Sequence, residues 1–136
     1  MNEHCIFCRI IQHQEPAYIV TEDEHVIVFL SRENHPLVVP RQHIPNIYSL
    51  DEATGAYIMR AAIEVARAVK AGLACEGVYL TQTNEPAAGQ DAFHFHLHIY
   101  PRWHDVDFRF QQTSQNITEA DKQESLQKIK AYLQKD

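Results

Sequence analysis

The chain has 136 residues, with 12 Lys+Arg against 18 Asp+Glu and 9 His, a formal charge of −6. This length suits one compact domain spanning 1–136. The acidic balance excludes a global attraction for nucleic acid or an anionic membrane surface, so an anionic ligand would need a local pocket of donors. No apolar run approaches the roughly 20 residues of a membrane helix. Met1-Asn2-Glu3-His4-Cys5 lacks the basic and apolar regions of a secretory signal. The expected location is therefore the cytoplasm, where three cysteines do not suggest a disulfide scaffold.

In chain order, Cys5 to His13 reads as a short helical or turn-rich segment closed before Pro16. Ala17–Thr21 and His25–Leu30 are β-branched and aromatic runs joined by a hairpin turn at Glu22-Asp23-Glu24. Leu37–Val39 is a third strand between two prolines. Asp51 is an N-cap for a helix from about Glu52 to Ala71, with Gly72 as its stop. Met59, Ala62, Ile63, Ala66 and Val69 recur at helical spacing and predict its buried stripe. Val78–Thr83 is a fourth strand, followed by a loop through Gln90. A fifth strand runs from about Phe93 to Tyr100 and ends at Pro101. Thr118 with Asp121 forms a capping box for a last helix reaching about Leu133, with Leu126, Ile129, Lys130 and Leu133 on one side. The pattern predicts an α+β fold with a five-stranded, mostly antiparallel sheet.

The fifth strand carries the strongest chemical signal. In His94-Phe95-His96-Leu97-His98-Ile99-Tyr100 three imidazoles alternate with apolar residues. Period-two alternation puts the histidines on one face, about 6–7 Å apart, and Phe95, Leu97 and Ile99 towards a core. A neutral imidazole can attack phosphorus to give a covalent phosphoramidate, while a neighbouring histidine assists the departing group. The central His96 is best placed as nucleophile. Gly89-Gln90-Asp91 just upstream is a turn that could aim backbone amides at phosphate oxygens. Cys5-Ile6-Phe7-Cys8 offers half of a tetrahedral zinc site. His43 and a histidine of the row are the candidates for the other half; a redox pair or two inert thiols remain the alternatives. His4, His13, His25, His35 and His104 read as surface residues. Arg102 and Arg109 could steer phosphates, and Trp103 could stack on a base.

Together these residues resemble the histidine triad (HIT) family of nucleotide hydrolases and transferases. The likeness runs from about Cys5 to Arg102 and rests on the triad, on Ala88-Gly89-Gln90 before it and Pro101-Arg102 after it. It also rests on Cys5-Ile6-Phe7-Cys8-Arg9-Ile10-Ile11 and on Leu37-Val38-Val39-Pro40-Arg41-Gln42-His43-Ile44. The resemblance implies a five-stranded antiparallel sheet, a homodimer and a purine nucleotide substrate. By the same resemblance His96 matches the nucleophile, and His98 the histidine that contacts phosphate and assists the leaving group. Asn84 and Gln90 match positions near the phosphate. Cys5, Cys8, His43 and His94 match a structural zinc site, one ion per chain. Residues 103–136 extend beyond the signature.

The sequence departs from the family pattern in three places. Ser31 stands where an acidic residue often holds the ribose hydroxyls and is the candidate for that contact, with Glu33 as its alternative. The segment 31–36 is shorter than usual and lacks a Gly-His before the next strand. Asp91 follows Gln90 in place of Ser or Thr. The resulting expectation is a hydrolase that cleaves a nucleoside 5′-phosphoryl bond through a nucleotidyl-histidine, acting on adenosine phosphoramidates or dinucleoside polyphosphates. The rival readings are a nucleotide-binding regulatory module with vestigial catalysis, and a hydrolase using the histidine row itself as zinc ligands.

Overall fold

A computed structural model of the chain describes residues 2–105 and 116–133. Five strands form one sheet: β1 (Ile19–Glu22), β2 (Val26–Leu30), β3 (Pro36–Pro40), β4 (Gly77–Thr81) and β5 (Leu97–Arg102). Their spatial order is β1-β2-β3-β5-β4, and every neighbouring pair is antiparallel. The hairpin between β1 and β2 is set by Asp23, whose carboxylate accepts from the amides of His25 (2.8 Å) and Val26 (2.9 Å). This is the Asx chemistry that makes aspartate a turn residue.

Helix α1 (Ile6–Ile11) lies on one face of the sheet; α2 (Glu52–Gly72) and α3 (Glu119–Lys130) lie on the other. Strands β2 and β3 are buried at every residue because helices cover both their faces. Val26, Val28, Leu30, Val38 and Ile99 point to α2 and α3, while Ile27, Phe29, Leu37 and Val39 point to α1. His98 is the register partner of Leu37, and Tyr100 of Tyr79. These rings therefore continue the α1 face of the sheet onto β5 and β4.

The helix caps follow the sequence. Asp51 accepts from the Thr54 amide at 3.1 Å, and Thr118 with Asp121 closes a reciprocal box at 3.1 and 2.9 Å. The buried stripe of α2 does not follow it. Met59 and Ile63 are 50% and 46% exposed, and the sheet is met by Ile58, Ala62, Val65, Ala68 and Val69. Two apolar stripes run side by side on this helix, sharing Ala62 and Val69. Periodicity gives both equal standing, and only packing against the sheet selects one. Gly72 is the last residue of α2, as expected, but it does not supply the left-handed turn: that residue is Ala74, φ 52°. What Gly72 permits is close approach, since a Cβ there would collide with the backbone of Lys128 and Ile129 in α3. Through that contact Ile129 becomes fully buried, with Leu126 and Leu133 packed around it and Lys130 exposed.

The fifth strand differs in both its bounds. It begins at Leu97, so His94 and His96 precede it, and it runs through Pro101 to Arg102. Upstream, the Phe95 amide donates to the Ile44 carbonyl at 2.6 Å, drawing residues 94–96 out of the ladder. Downstream, β5 pairs with β3 only at Leu97 and His98, so Pro101 faces no acceptor on that side and its missing N–H costs nothing.

Candidate functional site

The histidine segment joins two clusters. At its inner end Cys5, at the N-cap of α1, and Cys8, in its first turn, meet His43 from the loop after β3 and His94. All four ligand atoms lie within 4.8 Å of one another. Cys8 Sγ is 3.2 Å from His43 Nδ1 and 3.5 Å from His94 Nδ1, Cys5 Sγ is 3.5 Å from His94 Nδ1, and the two Nδ1 atoms are 3.2 Å apart. A tetrahedron with Zn–N near about 2.0–2.1 Å and Zn–S near about 2.3 Å has edges of roughly 3.3–3.8 Å, and these four separations lie close to that range, as a tetrahedral cation requires. The second nitrogen of His94 is accounted for: Nε2–H donates to the Pro40 carbonyl at 2.7 Å, which aims Nδ1 at the cluster. Burial holds His94 well below the ordinary imidazole value, at about 4, so it is the neutral form a ligand requires. Burial pushes the Cys5 thiol up, the direction that a bound cation would reverse.

His96 and His98 form the outer cluster. His96 is 6% exposed, and its Nδ1–H donates to the His94 carbonyl at 2.8 Å, leaving the Nε2 lone pair as the reactive one. Phe7 packs edge-on to His96 with centroids 5.1 Å apart, and the His98 ring stands 4.9 Å from that of His96. Burial, then the neighbouring His96, hold His98 down at about 4, so it is neutral near pH 7.

One member of this cluster was not expected. His35, read as a surface residue, is 2% exposed, and its Nε2 lies 2.9 Å from His98 Nδ1. Burial, followed by His98, pushes it down to about 3. Register carries the signal that could have found it. Leu37 pairs with His98, so residue 35 falls opposite Tyr100, and the two rings are 3.9 Å apart. Asn34, just before His35, takes the left-handed φ of 67°, a conformation that asparagine adopts more readily than most residues. The short 31–36 segment is what draws this ring inward: Ser31 N donates to the His35 carbonyl at 2.8 Å and closes a tight turn.

The other candidate residues meet protein partners. The Ser31 hydroxyl lies 3.0 Å from His35 Nδ1. Asn84 Oδ1 accepts from the Ile47 amide and from Gln82, both at 2.8 Å, and its amide donates to Gln82 at 2.8 Å. Gln90 is buried: its oxygen accepts from the Glu85 amide at 2.6 Å, and its nitrogen donates to the carbonyls of Pro45 (2.7 Å) and Ala92 (3.1 Å). Both side chains thus clamp the loop after β4 to the segment before α2. The amides of Gly89 and Gln90, expected to face phosphate, donate to Pro86 and Glu85 within their own turn. Arg102 lies over the Tyr100 ring at 4.6 Å; Trp103 is at the exposed edge, and Arg109 falls outside the described residues. Among the described residues no helix is long and apolar enough to cross a membrane.

Comparison with known proteins agrees with this geometry. The HIT domain family matches residues 12–105. "Protein hit" of Bacillus subtilis is 38% identical over 105 residues, covering 74% of this chain and 72% of its own. A Hit-like protein of Bartonella henselae superposes with a TM-score of 0.87 at 28% identity, covering 98% of this chain and 99% of that one. A Zn-bound histidine triad protein of Mycobacterium smegmatis does so with a TM-score of 0.83 at 28% identity, covering 94% and 91%.

Proposed function

Since the chain belongs to the HIT family, we propose that it is a nucleotide hydrolase working through a nucleotidyl-His96 intermediate. One observation carries the reading: His96 Nδ1 is held by the His94 carbonyl at 2.8 Å, so the unprotonated Nε2 is the nitrogen offered to phosphorus. That lone pair forms the N–P bond as the P–O or P–N bond to the leaving group breaks, and the His94 carbonyl supports the cationic ring. Water then attacks phosphorus, the N–P bond breaks with its electron pair returning to Nε2, and the proton lost by the water passes to solvent. His98, 4.9 Å from His96 between ring centroids, is the group that meets the departing atom. Purine dinucleoside polyphosphates and adenosine phosphoramidates are the substrates proposed.

In this reading Cys5, Cys8, His43 and His94 hold one structural zinc. The donor spacing and the Zn-bound relative support it. When bound, the ion ties α1 and the loop after β3 to the segment carrying His96. A homodimer belongs to the same proposal. Met59, Ile63 and Tyr132 line an exposed groove of about 640 Å³ outside α2, and β4 is a sheet edge with Tyr79 and Leu80 exposed. Sedimentation of the purified chain tests it; a monomer at micromolar concentration rejects it.

The decisive experiment is an acid quench of enzyme with substrate followed by mass spectrometry. A nucleoside monophosphate adduct on the peptide containing His96, absent in His96→Ala, is the expected result. Turnover without any adduct, or undiminished turnover in the variant, rejects the nucleotidyl-His96 route.

A further inference from the structure

The hydrogen-bond chain behind His98 determines where its proton sits. Ser31 Oγ accepts from the amide of Glu33 at 3.1 Å and, more weakly, from that of His35 at 3.4 Å. With its lone pairs so engaged, the hydroxyl hydrogen is directed at His35 Nδ1, 3.0 Å away. Buried His35 is neutral near pH 7 and has one ring proton. Nδ1 is an acceptor, so that proton is on Nε2. Nε2 is 2.9 Å from His98 Nδ1, which must therefore accept. The Tyr100 hydroxyl, 3.3 Å from the same atom, fits a second, longer donor. The proton of His98 then lies on Nε2, an atom with no hydrogen-bond partner among the described residues. Placing a second proton on His98 Nδ1 would require His35 to move its own proton to Nδ1, against a hydroxyl whose lone pairs already receive amides.

We infer that Ser31 and His35 are positioning residues that hold His98 as a neutral ring with N–H at Nε2, so that the site is built for a leaving group departing as an anion, a phosphate and not an amine. The inference rests on the nucleotidyl-His96 reading. As the His96 Nε2–P bond forms, the electron pair of the breaking P–O bond leaves with the bridging oxygen. His98 Nε2–H donates a hydrogen bond to that oxygen and keeps its proton. A phosphate with a second ionisation near about 6 leaves in this way at neutral pH. An amine, basic to about pH 10, leaves only once it has been protonated, and a ring locked in this tautomer does not supply the proton. Ser31 then belongs to the chain behind His98 and not to the ribose.

The test reads the tautomer and the chemistry separately. In the full-length chain with histidine ring ¹⁵N labels at pH 7, His98, identified by the resonances lost in His98→Asn, is expected to show a protonated Nε2 and an unprotonated Nδ1. A proton on Nδ1 overturns the inference. Ser31→Ala is expected to lower kcat on a dinucleoside polyphosphate about tenfold with KM held, and Ser31→Thr to restore it. A raised KM with unchanged kcat overturns it by placing Ser31 on the substrate. With one nucleoside, kcat/KM for the phosphoanhydride is expected to exceed that for the phosphoramidate by at least about tenfold; the reverse order overturns the inference. Turnover of neither substrate counts against the nucleotidyl-His96 reading, and the ring shifts then still decide the tautomer.

Discussion

His94 and His98 stand four residues apart in one motif, yet their rings are used in opposite ways. Both nitrogens of His94 are enclosed, Nε2 on the Pro40 carbonyl at 2.7 Å and Nδ1 within 3.5 Å of three other metal-ligand atoms. His98 has Nδ1 held at 2.9 Å by His35, while its Nε2 meets no partner among the described residues. The two residues share chemistry and both are held near about 4 by burial. What separates them is the element each one meets. α1 and the loop after β3 bring thiols and an imidazole to the inner ring, whereas the short turn before β3 brings a single donor to the outer one. His96 sits between, with one nitrogen held and one offered.

The contrast can be tested in order of expected effect. His96→Ala is expected to lower kcat/KM by more than about 10³-fold while metal content stays unchanged; comparable turnover would show that neither end serves this ring. Cys8→Ser breaks the inner end alone. Its loss of a metal ligand worth roughly 3 kcal/mol is expected to lower Tm by about 10 °C, and a chelator should do the same to the wild type but not to the variant. An unchanged Tm in both would reject a structural ion.

Acid titration reads the buried rings of both ends together. The folded values of His35, about 3, and of His94 and His98, both about 4, lie below the unfolded value of about 6.5. The unfolded chain therefore takes up these protons first. Their contribution to stability is complete above about pH 6.5, declines as pH falls towards the folded values, and is lost below them. The urea midpoint should fall between pH 6.5 and 5, above the carboxylate range; a flat midpoint would show that these rings are not buried neutral. The smallest effect is expected from Asn34→Gly. It keeps the left-handed backbone and removes the 2.9 Å bond from Asn34 Nδ2 to Ser125 Oγ, for about 0.5–1.5 kcal/mol in urea unfolding. No change would uncouple α3 from the turn that carries His35.

Much of the fold was legible because its signals are local. The Asp23 turn, the Asp51 cap and the Thr118–Asp121 box each depend on residues within three positions of one another. The alternation that sends Phe95 and Ile99 into the core needs only the backbone, and both are buried. The cluster of Cys5, Cys8, His43 and His94 was legible through the family pattern and not through spacing, because its halves lie 35 or more residues apart. What escaped was decided by tertiary contact. The bond from Phe95 to Ile44 fixes where β5 begins, the sheet selects Ile58 over Met59 on α2, and antiparallel register turns His35 inward. None of these leaves a mark in a window of a dozen residues.

Gly72 and Asn34 together connect the last helix to the chemistry. The first lets α3 seat its backbone directly on α2; the second ties α3, through Ser125, to the turn that delivers His35. A segment outside the family signature thus touches both the long helix and the turn that delivers a buried imidazole. Loss of α3 is therefore expected to reach the outer ring through that turn while every residue of the triad stays intact.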